Sequence, residues 1–521
     1  MTDEPQRPAG GETERTVAAA EIGSSPIGAS DIMLALARGA ASWIPERRWF
    51  GSKSRTIADV VIRDLALDQI GDEFAGLALA RLIYTDGGED QYFLPILLTA
   101  NPSAVGHAIA ALTGDRTLAI VDGPEEERFR GWFLDALADG RTIDGVDSAF
   151  RFEPTEVLGD YLAAARSGDS RLIRSEQSNS SVIYGDAVIG KLFRRLQPGI
   201  NPDLEIGRFL TEQTDFRSVP AVVGGVSCLD ERGETSVAVM QVFVPNGGDA
   251  WTATLAELDQ LITRASAEPT ADLPAEMIDT GPAALLGQRT AELHVALASS
   301  DVEEAFVPKP VTPDDVADWE RETIAAIERQ AAMLDNALPR LTPLQQQAVV
   351  AVDLSPTRLA DRVGGYRALE GTVRIRVHGD YHLGQILRGL TGDIIILDFE
   401  GEPARSIEER RAKTSALKDV AGMLRSLRYA RAAAVKAYAG ALDERVIDHW
   451  LAQWETASRA AFIGAYRAGV AASPHALVPP DDGAFTAGLL AWELDKALYE
   501  LAYEANNRPA WLDVPLMTLA T

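Results

Sequence analysis

The segment RVHGDYHLGQILRGLTGDIIILDFEGEP, residues 376 to 403, holds Asp380, an amide at Gln385 and a second aspartate, Asp398, at the end of an apolar run. Phosphoryl transfer to an alcohol needs a carboxylate near the attacking hydroxyl and further oxygen ligands that hold magnesium on the nucleotide phosphates. Asp380, Gln385 and Asp398 supply that set in that order. Glu400 follows two residues later on the exit of the same predicted hairpin. The competing reading, carboxylates in solvated turns around a buried hairpin, rests on the frequency of Gly-Asp turns; the spacing weighs against it. His378 reads as a hydrogen-bonded structural histidine rather than a proton carrier.

A second constellation lies in EQSNSSVIYGDAVIGKLFRRLQPGINPDLEIGRFL, residues 176 to 210. Lys191 stands on an apolar strand after a hairpin, and Glu205 on the next helix is the expected carboxylate partner that orients it toward phosphates. The turn through Ser178, Ser180 and Ser181 is short of glycine, so it would cover phosphates with hydroxyls and backbone amides. In MQVFVPNGGDAW, residues 240 to 251, an extended strand runs into a Pro-Asn-Gly-Gly break, which suits a hinge with Gln241, Phe243 and Val244 beside an adenine.

The third is AWELDKALYELAYEANNRPAWLDVPL, residues 491 to 516. On a helix, Trp492, Tyr499, Tyr503 and Asn506 share one stripe, with Glu493, Glu500 and Glu504 beside it. Sugars are bound by aromatic faces and by carboxylates that accept their hydroxyls. Glu493, Tyr499, Glu500, Tyr503 and Trp511 are therefore candidate acceptor residues. The plainer alternative puts the aromatics in the core and the glutamates in water.

The elements that must position these residues follow from the pattern. Strand-like runs between 57 and 98 and again between 150 and 244 alternate with Gly and Asp turns, Gly185-Asp186 among them, and from Asp249 onward amphipathic helices dominate. The expected class is α+β: a disordered tail over 1–29, a strand-rich cap over 30–110, a kinase-like amino-terminal lobe over 111–245, and a helical carboxy-terminal lobe over 246–521. The 521 residues carry 49 Lys and Arg against 77 Asp and Glu, a net charge of −28, which repels nucleic acid and anionic membranes. A single cysteine, Cys228, rules out an intramolecular disulfide and suits a cytoplasmic setting. No apolar run approaches the length of a bilayer span.

In order along the chain, RRWFGSKSR, NSSVIYGDAVIGKLFRRLQPGINPDLEIGRFL, GQRTAELHVAL, VHGDYHLGQIL, ILDFEGEP, LKDVAGMLRS and YELAYEANNRPAWLDVPL resemble the bacterial maltokinase family. That family includes kinases fused to trehalose synthase and sits within the aminoglycoside-phosphotransferase-like superfamily. The resemblance implies a cap on a bilobal kinase, ATP and magnesium as cofactors, and transfer of the γ-phosphoryl group to the anomeric hydroxyl of maltose, with trehalose synthase a functional partner. It implies Asp380 as base, Gln385 and Asp398 as magnesium ligands, Lys191 with Glu205 on the phosphates, and Glu400 at the metal or the acceptor. Actinobacterial glucosamine kinases are similar in all these motifs, so glucosamine phosphorylated on its 6-hydroxyl is the alternative to maltose. A catalytically inactive kinase-like binding module is the further alternative.

Overall fold

Apolar alternation builds the first sheet. In the computed structural model, which describes residues 20–22, 25–101, 107–113, 117–174, 178–403 and 405–520, Ile57–Ile70, Glu73–Tyr84 and Glu89–Thr99 form an antiparallel meander. Thr117–Asp122 and Ala110–Thr113 extend it. The central strand Glu73–Tyr84 is buried along nearly its whole length because both faces are covered. One face packs on the helix Ala29–Trp43 through Ile32, Leu36 and Ala40, spaced at i, i+4 and i+8. The other shares a core with a second sheet through Leu77, Phe93 and Phe150.

That second sheet has seven strands, in the order Ser170–Ile173, Asn179–Tyr184, Val188–Phe193, Gly233–Val242, Val222–Asp230, Ala149–Pro154, Thr142–Asp144. Gly185 and Asp186 both have positive φ, 56° and 50°, as the central pair of a primed turn requires, and the Ala187 N–H closes it on Tyr184 O at 3.0 Å. Lys191 therefore sits on an inner strand, opposite Ser181 on one side and Val239 on the other.

The chain divides into two compact units, Met1–Leu204 with Val222–Phe243, and Glu205–Ala221 with Val244–Thr521. The second is helical. Its core runs through Leu286 of the helix Gly281–Leu297, Leu424 of Leu417–Ala437, Trp450 and Phe462 of Glu444–Val470, and Leu489 of Asp482–Asn507. Two three-stranded sheets are set into it: Asn246–Asp249 with Ile386–Gly389 and Ile394–Ile396, and Lys309–Pro310 with Val373–Ile375 and Thr414–Ser415. No helix among the described residues is long and apolar enough to cross a membrane.

Two boundaries differ from expectation. The cap sheet does not end near 110: its strands reach Asp122, and Arg195–Leu196 returns to pair with Tyr92 and Gln91. Of the expected disordered tail, residues 1–19, 23 and 24 lie outside the described residues, while Ala20–Ile22 and Ser25–Ile27 pair as a short hairpin.

Candidate active site

The loop that carries Asp380 is suspended from a buried carboxylate. After the strand Val373–Ile375 the chain passes through His378-Gly379-Asp380, with Gly379 at φ 85°, a left-handed conformation that favours glycine. The backbone N–H groups of His378 and Gly379 donate to Asp419 Oδ2 and Oδ1 at 2.7 and 2.9 Å. Asp419, 1% exposed, lies in the first turn of Leu417–Ala437. His294 Nε2 is 3.1 Å from Asp419 Oδ2, and His294 Nδ1 is 2.9 Å from the Tyr466 hydroxyl. Burial pushes the Asp419 carboxyl up, but His294, His378 and the Gly379 N–H outweigh it and hold the carboxyl below the usual range. His378 is structural, as expected: its Nε2 lies 2.8 Å from Leu397 O, so it ties the loop to the strand end that delivers Asp398. Sequence reasoning assigned no role to Asp419 or His294. Their signal was a lone Asp and a lone His on otherwise apolar helix faces.

Asp380 is not alone. Lys496 Nζ lies 3.0 Å from Asp380 Oδ1 and 3.0 Å from Glu402 Oε1, bridging the two carboxylates. His382 Nε2 lies 3.9 Å from Asp380 Oδ2, beyond hydrogen-bond range. Burial alone would favour a neutral amine at Lys496, yet Asp380 and Glu402 hold it charged, well above the ordinary lysine range. Glu402 is 2% exposed; burial pushes its carboxyl up, and Lys496, Lys418 and Arg405 overcome this and bring it down to about 2. The sign of the linkage follows. A carboxylate whose pKa drops from 4.5 to about 2 on folding adds stability that is full above 4.5 and disappears as pH falls toward 2. Acid unfolding followed by circular dichroism should show a steep loss across that window, and Glu402→Gln should flatten it.

Gln385 and Asp398 come together, with Gln385 Nε2 donating to Asp398 Oδ2 at 2.9 Å. Asp398 has φ 65°, a strained conformation for a non-glycine residue, of the kind held at functional sites by the surrounding structure. Carboxylate oxygens of Asp398 and Glu400 lie within 4.8 Å of each other. This all-oxygen donor set, two carboxylates and an amide carbonyl, fits a hard divalent cation such as magnesium.

The carboxy-terminal helix Asp482–Asn507 corrects several acceptor expectations. Glu493 is buried against Arg459 at 2.7 Å. Glu500 accepts from Arg425 Nε at 2.9 Å, with Arg425 itself 1% exposed. Both glutamates join helices through these ion pairs. Trp492 lies in an aromatic cluster with Trp319 and Tyr366, at ring distances of 5.4 and 5.1 Å. Trp511 stacks on Tyr429, and Tyr503 is 46% exposed. The Tyr499 ring lies 4.8 Å from Lys496 Nζ, which leaves Tyr499 as the stripe member adjoining the Asp380 cluster. Between Glu493 and Glu500 in sequence, Lys496 is the residue of this helix that meets Asp380.

In the other unit, Lys191 meets a different carboxylate from the one expected. Its Nζ lies 3.3 Å from Asp203 Oδ2, and Asp203 is 1% exposed. Glu205 is held instead by Arg376 at 2.6 Å and Arg411 at 2.6 Å. At about 100° per residue, positions two apart on a helix point to nearly opposite sides, so the two acids cannot share one partner. Gly225 gives the Asp203 turn its closeness to the sheet: a Cβ there would stand 2.6 Å from Leu204. Of the serines expected in a turn, Ser178 is exposed, whereas Ser180 and Ser181 are buried in the strand Asn179–Tyr184, paired with Leu192 and Lys191, and Ser180 Oγ accepts from Arg194 Nε at 2.8 Å. Gln241, Phe243 and Val244 are half-buried, and the Phe243 N–H donates to Ala187 O at 2.9 Å.

Comparison with known proteins adds the family. Residues 43–139 match the maltokinase N-terminal cap domain. A glucosamine kinase of Mycolicibacterium smegmatis is 30% identical over 415 residues, 78% of this chain and 94% of the relative. The chain belongs to the maltokinase-like family of sugar kinases that includes the glucosamine kinases. It is a phosphotransferase acting on a sugar hydroxyl. A further member of this kinase family, from Streptacidiphilus jiangxiensis, is 29% identical over 367 residues, 70% of this chain and 75% of its own. The fold is that of solved glucosamine kinases. One, in complex with glucosamine, ADP and inorganic phosphate, superposes with a TM-score of 0.61 at 24% identity, over 89% of this chain and 93% of the other. A second crystal form gives 0.64 at 24% identity, over 94% and 98%.

Proposed function

We propose that this sugar kinase transfers the γ-phosphoryl group of ATP to glucosamine, giving glucosamine 6-phosphate. The observation that carries the reading is the glucosamine kinase aligned along 94% of its own length. A cavity of about 240 Å³ lined by Gly379, Glu402, Asp495, Trp319 and Trp492 supports it. This lies below the range of about 300–1,000 Å³ usual for drug-sized ligands, so it suits one sugar ring better than two. Burial pushes the Asp495 carboxyl up toward its neutral acid, and a sugar ammonium beside it would restore the ionised pair. The cavity shares Glu402 with the Lys496–Asp380 cluster, and Gly379 precedes the base.

The maltose reading expected from the sequence drew on the helix of Trp492, Glu493 and Glu500; the two glutamates are engaged in ion pairs, while Trp492 packs on Trp319 and Tyr366 and lines the same cavity. The cap match at 43–139 favours it as the second reading. In either case Asp380 accepts the proton of the acceptor hydroxyl, Lys191 oriented by Asp203 holds phosphate oxygens, and Gln385, Asp398 and Glu400 are the residues that would hold magnesium. Magnesium supplies neutralisation of phosphate charge as the group is transferred.

Purified protein incubated with ATP and, in turn, glucosamine, maltose, glucose and trehalose decides the acceptor. Phosphorus NMR should show a 6-phosphate ester of glucosamine; a phosphate at the anomeric carbon of maltose overturns the reading. Lys191→Ala should raise the ATP Michaelis constant or lower turnover while leaving sugar affinity unchanged, because it removes a phosphate contact only. Calorimetric titrations with ADP and with glucosamine check this directly.

A further inference from the structure

With Lys191 taken by Asp203, Glu205 is engaged by two arginines of its own unit. Its Oε2 accepts from Arg376 Nη1 at 2.6 Å and from Arg411 Nε at 3.0 Å, and its Oε1 accepts from Arg411 Nη2 at 2.6 Å. Arg411 thus grips the carboxylate with its fork, and Arg376, 1% exposed, adds a third bond. Burial pushes the Glu205 carboxyl up, and the two arginines outweigh it and hold it below the usual range.

Each arginine sits at a joint of the site. Arg376 stands between the strand Val373–Ile375 and the loop of Asp380, four residues before the base. Arg411 ends the short helix Ile407–Arg411, and its neighbour Arg410 donates from Nη1 to the Glu400 backbone O at 2.9 Å. Beyond that helix, Thr414 and Ser415 pair with Ile375 and Arg374. The chain therefore leaves Glu400, is tied back to it by Arg410, and returns alongside the strand that leads to Asp380. That return brings two cations to one place, where like charges repel unless an anion stands between them.

We infer that Glu205 is a positioning residue that locks the segment entering the Asp380 loop to the segment leaving Glu400, so that the base and the magnesium-holding residues keep one spacing. This rests on the proposed reading of Asp380 as base and of Gln385, Asp398 and Glu400 as the residues that would hold magnesium. Groups behind metal ligands fix the ligands' orientation without touching the metal.

The test compares Arg411→Ala, Arg411→Lys, Glu205→Gln and the double variant Arg411→Ala with Glu205→Gln in the full chain. Glu205→Gln strips two arginines of their anion and lowers Tm, so Arg411→Ala, which keeps the Arg376–Glu205 pair, is the decisive probe. It should lower kcat and weaken manganese(II) binding to the ADP complex, each by about 10- to 100-fold, the usual cost of losing a group behind a metal ligand. Manganese replaces magnesium so that electron paramagnetic resonance can measure the unbound ion. Arg411→Lys keeps a cation at the carboxylate and should recover part of both losses. The double variant should be no worse than Glu205→Gln alone, because Arg411 acts through that carboxylate. A lower Tm with kcat and manganese affinity unchanged, or strictly additive effects, overturns the inference and leaves Glu205 the centre of a packing network. Asp398→Asn run alongside separates the two possible failures. If it weakens manganese binding and Arg411→Ala does not, the positioning role is wrong; if neither does, the metal-site reading fails and takes the positioning role with it.

Discussion

Asp380→Asn should lower turnover by about 10²- to 10⁴-fold, the usual contribution of a general base, while the protein stays folded and binds both substrates. The loop that holds residue 380 does not depend on its carboxylate. It hangs from Asp419 through two backbone N–H groups and from Leu397 O through His378, and the buried Tyr381 hydroxyl lies 2.9 Å from Thr290 Oγ1. The amide of Asn fits the same space and can still meet Lys496 through its carbonyl oxygen, but it cannot take a proton from a hydroxyl. The expected pattern is therefore a collapse of kcat with the sugar and ATP Michaelis constants little changed and Tm close to wild type. Steady-state kinetics and a melting curve on the same preparation check it. Turnover within a fewfold of wild type excludes Asp380 as the base, and a large fall in Tm would mean that the loop rests on the Asp380–Lys496 pair more than on Asp419.

The residues legible in the sequence were those whose chemistry is written in short-range spacing. Gln385 and Asp398 flank one hairpin, Ile386–Gly389 with Ile394–Ile396, with Asp380 in the loop before it, and the structure joins Gln385 to Asp398. The strand carrying Lys191 and its Gly185-Asp186 turn were equally plain, because a primed turn needs two residues with positive φ. What was missed depends on distant chain. Asp419 and His294 are read by periodicity as helix residues of no distinction, and only the packing of their helices puts them under the loop that carries Asp380. The choice of Glu205 over Asp203 failed because both acids lie in the first turns of one helix, and only the helix's rotation against the sheet decides which meets Lys191. Glu493 and Glu500 looked like ligands on a helical wheel; their arginine partners, Arg459 and Arg425, come from helices 34 and 75 residues earlier in the chain.

Lys496→Met should prove nearly as damaging as loss of the base, by a different route. The wild-type ammonium sits 3.0 Å from both Asp380 and Glu402, and its side chain is only 15% exposed. Removing one partner from a buried charge cluster typically costs about 3 to 5 kcal/mol, and here Glu402 keeps Arg405 at 2.6 Å while Asp380 keeps no cation at all among its described contacts. The ammonium also holds Asp380 Oδ1 in place, so without it the carboxylate is no longer aimed at the acceptor hydroxyl. In the Met variant kcat should therefore fall steeply while the ATP Michaelis constant stays close to wild type. Lys496→Arg restores the charge with a larger, planar group, so it should recover turnover only in part. A residue that merely packed the helix would lower Tm in both variants and leave the kcat of the folded protein unmoved. Should Lys496→Met retain wild-type kcat, the ammonium is not what aims Asp380.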